Sequence, residues 1–229
     1  MEKPHNKFFQ LAALAGTIAP VFFVSTFTIE GWLRPGYTAM GMYISALSLG
    51  SRGFIQIANF LIFGTSFLFF ARAVAAGFKK RKVSQAGPIL IAIFAACLFL
   101  SGPFVMDPMN TPPSQMTPHG TIHGILGGIA FLLMPISCFV FLRRFHQDPA
   151  WHSFAPWTLL MSILLSAALA LFIFATKLPL GQSMFHEWFG LIQRAVLIPY
   201  MLWLSTFALA FYKRLYVYSE NETLVSKTW

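Results

Sequence analysis

Two histidines four residues apart, His119 and His123, follow the dipeptide Thr117-Pro118. Threonine is a favoured N-cap and proline suits the first helical position. A helix is therefore already formed at His119, and both imidazoles share one of its faces. Two imidazoles on adjacent turns are a common arrangement for a transition metal. The positive end of the helix disfavours an imidazolium, which keeps the rings neutral and able to ligate. Asp107 ends the preceding apolar run at nearly the same depth, and His186 opens the last one. Asp107, His119, His123 and His186 thus form a candidate zinc set. The plainer reading is that these residues are wet or cap helices. Without the glutamate of His-Glu-x-x-His, the pair is not the zinc protease motif.

A second stripe lies further on. Ser183, His186, Glu187, Gly190 and Arg194 recur at three and four residues, with Gln193 beside them, which is helical spacing. Glu187 and Arg194 stand two turns apart, too far for a pair along one helix. A charge near hydrocarbon needs a partner. Asp107 is the expected partner of Arg194, and Arg34 or Arg52 that of Glu187.

The elements that hold these residues follow from composition. The chain has 229 residues, 57% of them hydrophobic and 10% charged, with 26 Phe and a mean hydropathy of +0.67. This excludes a soluble globular domain. A helix needs about 20 apolar residues to span a bilayer, and such runs recur along the whole chain. We expect an all-α, polytopic transmembrane bundle forming one domain over residues 1–229. Six spans are expected near residues 9–29, 54–78, 88–106, 119–142, 155–176 and 186–212. The first is too long for a signal-peptide core and ends in Thr28-Ile29-Glu30 rather than at a small-residue cleavage site.

Orientation comes from counting Lys and Arg. The N-terminal segment, the second and fourth loops and the C-terminal tail hold eleven, from Lys3 and Lys7 through Lys79, Lys80, Arg81, Lys82, Arg143 and Arg144 to Lys213, Arg214 and Lys227. The opposite side holds four: Arg34, Arg52, Lys177 and Arg194. The positive-inside rule places both termini in the cytoplasm, and an even number of spans requires them on one side. The expected location is the plasma (inner) membrane, with membrane lipids as partners. The net charge of +9 belongs to these loops, so no nucleic-acid partner is expected.

Pro20, Pro103, Pro135 and Pro199 interrupt four spans, each freeing a carbonyl that a neighbour must satisfy. Gly124-x-x-x-Gly128 reads as a surface for close helix approach. Arg72 is expected to snorkel from within the second span. Cys97 and Cys138 fall at different depths, so no disulfide is expected. The sequon Asn221-Glu222-Thr223 falls on the cytoplasmic side.

Taken in order, several segments are similar to those of a known group of proteins. They are Arg34-Pro35-Gly36-Tyr37, Ile44-Ser45-Ala46-Leu47, Asn59-Phe60 with Gly64, Asp107-Pro108, Gly120-Thr121-Ile122-His123 and Gly190-Leu191-Ile192-Gln193-Arg194. The chain resembles the bacterial integral membrane family catalogued as domain of unknown function 998, and departs from it at Ala46, where an acidic residue is common. The resemblance implies a bundle of six or seven helices. It brings no activity, but it directs attention to Glu30, Arg34, Tyr37, Ser45, Asn59, Glu187, Gln193 and Arg194 as candidate pocket residues. A remoter similarity, to membrane hydrolases of the alkaline ceramidase and progestin-receptor superfamily, rests on residue types that Ser45, Asp107, His119, His123 and His186 can supply. Helix count and order differ.

Three function classes stay open. One is a bundle that binds or moves a small lipophilic molecule through an outer-side pocket. Another is a metal-dependent lipid hydrolase with a metal-bound water as nucleophile. The third is a structural or accessory membrane protein.

Overall fold

Within hydrocarbon each backbone N–H and C=O must find its partner inside the segment, and apolar runs of this length therefore close into helices. The computed structural model describes residues 4–80 and 84–226, with side chains over 7–78 and 84–215. Lys3, Arg81, Lys82 and Lys227 of the charge count lie outside the described residues, as do the side chains of Lys79, Lys80 and the sequon. Seven α-helices follow one another: α1 (Pro4–Leu33), α2 (Gly53–Lys80), α3 (Ala86–Leu100), α4 (Pro118–Gln147), α5 (Ala155–Lys177), α6 (Pro179–Phe185) and α7 (Phe189–Ser226). Short 3-10 turns cover Ile44–Ser48, Pro113–Gln115, His152–Phe154 and His186–Trp188.

Among the described residues, five segments are long and apolar enough to cross a membrane: Lys7–Leu33, Gly53–Phe78, Pro118–Gln147, His152–Lys177 and Pro179–Leu215. The third expected span is shorter. α3 has 15 residues and stops at Leu100, because Pro103 follows and cannot continue the ladder. Pro103 therefore ends a helix, whereas Pro20, Pro135 and Pro199 lie inside α1, α4 and α7.

The six longer helices close a ring in the order α1, α2, α3, α4, α5, α7, with α7 returning to α1. Aromatic side chains fill it. Phe63 stacks on Phe67 at 4.6 Å, Phe94 meets Tyr200 edge-on at 4.9 Å, and Trp203 stacks on Phe207 at 5.5 Å. All six are buried. Such pairs contribute roughly 0.5–1.5 kcal/mol each beyond the area they bury. That matters in lipid, where helix association rests on packing and interhelical hydrogen bonds. Trp203 donates to Thr158 at 3.2 Å, and Tyr200 shares a 2.8 Å hydrogen bond with Ser137. Cys97 and Cys138 are buried and free.

Two expectations about helix faces are corrected. A methyl group placed on Gly124, Gly127 or Gly128 would meet nothing within 4 Å, so no helix among the described residues uses that face for close approach. The last span is also not one helix from residue 186. Pro179 starts α6, a 3-10 turn follows at His186–Trp188, and only then does α7 begin. Ser183, His186 and Glu187 thus do not share a face with Arg194. Arg72 is exposed on the outside of α2.

α1 begins, and α7 finishes, at what we call the basic end. The opposite end is closed by residues 34–52, 101–117 and 178–188, and we call it the capped end.

Candidate functional site

Polar side chains gather at the capped end in four knots. The first is an acid between two arginines. Glu30 sits in the last turns of α1 with only 3% of its surface exposed. Arg34, one turn on, donates to Oε1 through Nε at 3.2 Å and Nη2 at 2.8 Å. Arg52, just before α2, donates to Oε1 through Nε at 2.9 Å and to Oε2 through Nη2 at 2.6 Å. This two-pronged grip is the geometry guanidinium favours for carboxylates. Arg34 also donates from Nη1 to the carbonyl of Leu49 at 2.8 Å, tying the loop between α1 and α2 to α1. Glu30 in turn raises the pKa of Arg52. The partner expected for Glu187 is therefore engaged elsewhere. Glu187 is exposed, with His186 as a neighbour at 3.8 Å.

The second knot is Arg194, only 9% exposed. Its Nη1 donates to the carbonyls of Ala39 (2.8 Å), Met42 (3.1 Å) and Gly190 (2.9 Å), and Nη2 donates to the Tyr37 hydroxyl. Its guanidinium carbon lies 5.7 Å from the centre of the Phe27 ring and 5.8 Å from that of Tyr37. Backbone oxygens and ring faces replace the carboxylate expected from Asp107. Burial raises the Tyr37 pKa, and the Arg194 charge opposes that shift. The approach is close because position 190 is glycine: a Cβ there would run into the carbonyl oxygens of Met42, Ala39 and Met40. Beside it, Gln193 Oε1 accepts from the Ile44 N–H at 2.7 Å, and the Leu191 N–H donates to the Met40 carbonyl at 2.9 Å. Tyr43 stacks on Phe189 with ring centres 6.0 Å apart, and burial pushes its pKa up to about 12. Ser45 is buried in the 3-10 turn, where its carbonyl accepts from the Ser48 hydroxyl at 2.6 Å.

The third knot starts α4. The Thr117 hydroxyl accepts from the Gly120 N–H at 3.0 Å, and Pro118 occupies the first turn, as the sequence led us to expect. Asp107 holds this cap in turn. Its Oδ2 accepts from the Thr117 N–H at 2.9 Å, and its Oδ1 accepts from the Thr117 hydroxyl at 2.8 Å. A Cβ on Gly120 would collide with that carboxylate. His123 is buried, its Nδ1 lying 2.7 Å from the Phe104 carbonyl beyond the end of α3. His119, one turn earlier, is exposed and packs against the Phe104 ring at 5.4 Å. The two histidines are thus neighbours along α4 but differ in burial and in partners. His186 lies exposed on the 186–188 turn. Among the described residues, no three His, Cys, Asp or Glu side chains come together in a way that could hold a metal ion.

The fourth knot was half visible in the sequence. Asn59 was a candidate, whereas Gln56 went unnoticed. The two are three residues apart on α2, 1% and 0% exposed. Asn59 Nδ2 donates to the Phe23 carbonyl of α1 at 3.1 Å and to Gln56 Oε1 at 3.3 Å. Gln56 Nε2 and Asn59 Oδ1 are buried and have no hydrogen-bond partner among the described residues. The signal that would have found Gln56 is the pairing of two carboxamides at helical spacing in an otherwise apolar first stretch of α2.

A multi-pass, all-helical membrane bundle with its polar side chains gathered at one end is the class that this fold defines. Within that class the chain belongs to the family described as "Protein of unknown function (DUF998)", which matches residues 17–210 and so takes in all four knots. No curated protein and no solved structure matches it.

Proposed function

We propose that this membrane protein binds a small, mostly apolar molecule bearing a hydroxyl or carboxamide, held by Gln56 and Asn59 beneath the capped end. One observation carries the reading: a buried amide donor and a buried amide acceptor, one turn apart on α2, both lack partners among the described residues. An unpartnered polar group in a protein interior costs about 1–3 kcal/mol, and lipid offers no relief. A hydroxyl accepts one hydrogen bond and donates another, so it matches Gln56 Nε2 and Asn59 Oδ1 together. The Phe23, Phe60 and Phe63 rings, clustered beside Asn59 on α1 and α2, suit an apolar remainder. The 44–48 turn packs against α1, α2 and α7 at this end and is pinned by the Ile44–Gln193 hydrogen bond.

The probe pair is 1-octanol against octane, added to the purified full chain in detergent. We expect octanol to raise the melting temperature and octane not to, and Asn59→Leu to lose the octanol response. Equal responses to both probes, or an octanol response retained in both Asn59→Leu and Gln56→Leu, would overturn the reading.

A further inference from the structure

At the basic end, far from the four knots, we infer that the protein seats an anionic phospholipid in a groove between α1 and α7. The groove has a volume of about 200 Å³ and is lined by Lys7, Gln10, Leu11, Leu14 and Tyr212. The four α1 residues are spaced i, i+3, i+4 and i+7, so they form one stripe of the helix. Their chemistry changes with depth. At 1.5 Å per residue, Leu14 lies about 10 Å further into the membrane than Lys7. An ammonium and a carboxamide thus stand at the mouth, and two leucines line the deeper part. Leu11 is 66% exposed and Leu14 41% exposed, so no other helix of the described chain covers them. Tyr212, from the antiparallel α7, adds an aromatic ring with a polar tip, a side chain suited to headgroup depth.

This gradient mirrors a phospholipid. Its phosphate accepts hydrogen bonds from Lys7 and Gln10, and an acyl chain follows Leu11 and Leu14. Charge decides the headgroup. Lys7 contributes a cation, Lys213 follows Tyr212 directly, and Arg143 and Arg214 belong to the same end, where Arg144 is paired with Asp148. A surface of this sign favours a net-negative headgroup over a zwitterionic one. The inference stands apart from the Gln56–Asn59 reading, since it uses none of its residues and concerns the opposite end.

The test is native mass spectrometry of the full chain released from mixed micelles holding equal amounts of phosphatidylglycerol and phosphatidylcholine with the same acyl chains. We expect phosphatidylglycerol to be retained several-fold over phosphatidylcholine. Lys7→Gln should bring that ratio close to one, and Leu14→Trp, which fills the groove, should remove both lipids. Lys177→Gln at the capped end should leave the ratio unchanged. Should Lys7→Gln fail to fold, Lys213→Gln serves, with an expected partial fall in the ratio. Equal retention of the two lipids by the unaltered protein would overturn the inference. So would an unchanged preference in the Lys7 or Lys213 variant, or retention abolished by millimolar inorganic phosphate alone.

Discussion

Arg194 near the start of α7 donates to the hydroxyl of Tyr37 in the loop after α1, joining residues 157 positions apart in the chain. The same guanidinium gathers the carbonyls of Ala39 and Met42, so this side chain of α7 holds residues 37–42 of the loop that closes the capped end. Charge-assisted hydrogen bonds of this kind contribute about 1.5–3 kcal/mol, and the planar donor fork that makes several at once is specific to arginine.

Arg194→Ala should therefore destabilise the protein by roughly 2–3 kcal/mol, and Arg194→Lys should recover little of it. Tyr37→Phe should cost about 1 kcal/mol, and the double variant less than the sum. Thermal unfolding in detergent, with Lys177→Ala as the exposed control, checks this. Equal small effects at positions 194 and 177 would contradict the clamp.

A second relationship links Asp107 to the start of α4 through Thr117. Removal of an N-cap costs about 0.5–2 kcal/mol. Thr117→Ala and Asp107→Ala should each fall in that range, and the pair should not add, because both act on one cap. Gly120→Ala should match Asp107→Ala, since its methyl group would displace the carboxylate. A Gly120→Ala variant as stable as the parent would show that the carboxylate can shift freely.

Much of this was legible beforehand, for physical reasons that differ by element. Hydrophobic runs report helices directly, and Thr117-Pro118 reports a cap because its geometry is local. Arg194 was legible only as a charge that needs a partner, and Glu30 only as a candidate pocket residue. The partners were not, since Arg194 is held mainly by backbone carbonyls, which every residue carries and no sequence pattern marks. Glu30 takes the two arginines that had been assigned to Glu187. Glu187 itself escaped because Pro179 and the 186–188 turn break the periodicity that seemed to align it with Arg194. The Gly124 and Gly128 stripe marks small residues, but smallness does not say whether a neighbour arrives, and none among the described residues does.

Tyr43 offers a pH test. Burial raises its phenol from an ordinary value of 10 to about 12. The fold favours the neutral form, so the contribution to stability is full below pH 10. It is lost as pH rises from 10 to 12, while the unfolded chain ionises first. The tyrosinate difference spectrum between the protein and Tyr43→Phe should develop near pH 12. A difference centred at pH 10 would place the ring in water.

Orientation is open to labelling because Cys97 and Cys138 are both buried and should stay silent to a membrane-impermeant maleimide. Asn110→Cys at the capped end should react in intact cells, and His152→Cys at the basic end only after permeabilisation. The reverse pattern would turn the bundle over and put the four knots on the cytoplasmic side.

The two histidines of α4 give the sharpest discrimination. If they acted as a metal pair, His119→Ala and His123→Ala would have similar consequences, because each removes one ligand. The hydrogen bonds point to unequal roles. His123 is buried and meets the Phe104 carbonyl at 2.7 Å, past the end of α3, where the helix ladder no longer supplies donors. Its loss leaves a cavity and an unpaired carbonyl, and should cost about 2–3 kcal/mol. His119 is exposed, so its loss should stay within about 0.5 kcal/mol, the usual range for surface positions. His123→Gln, which can still donate to Phe104, should recover part of the difference, whereas His123→Leu should not. Melting temperatures measured for these four variants, each with and without added zinc, decide the matter. Equal destabilisation at 119 and 123, reproduced by adding chelator to the parent protein, would restore the metal reading.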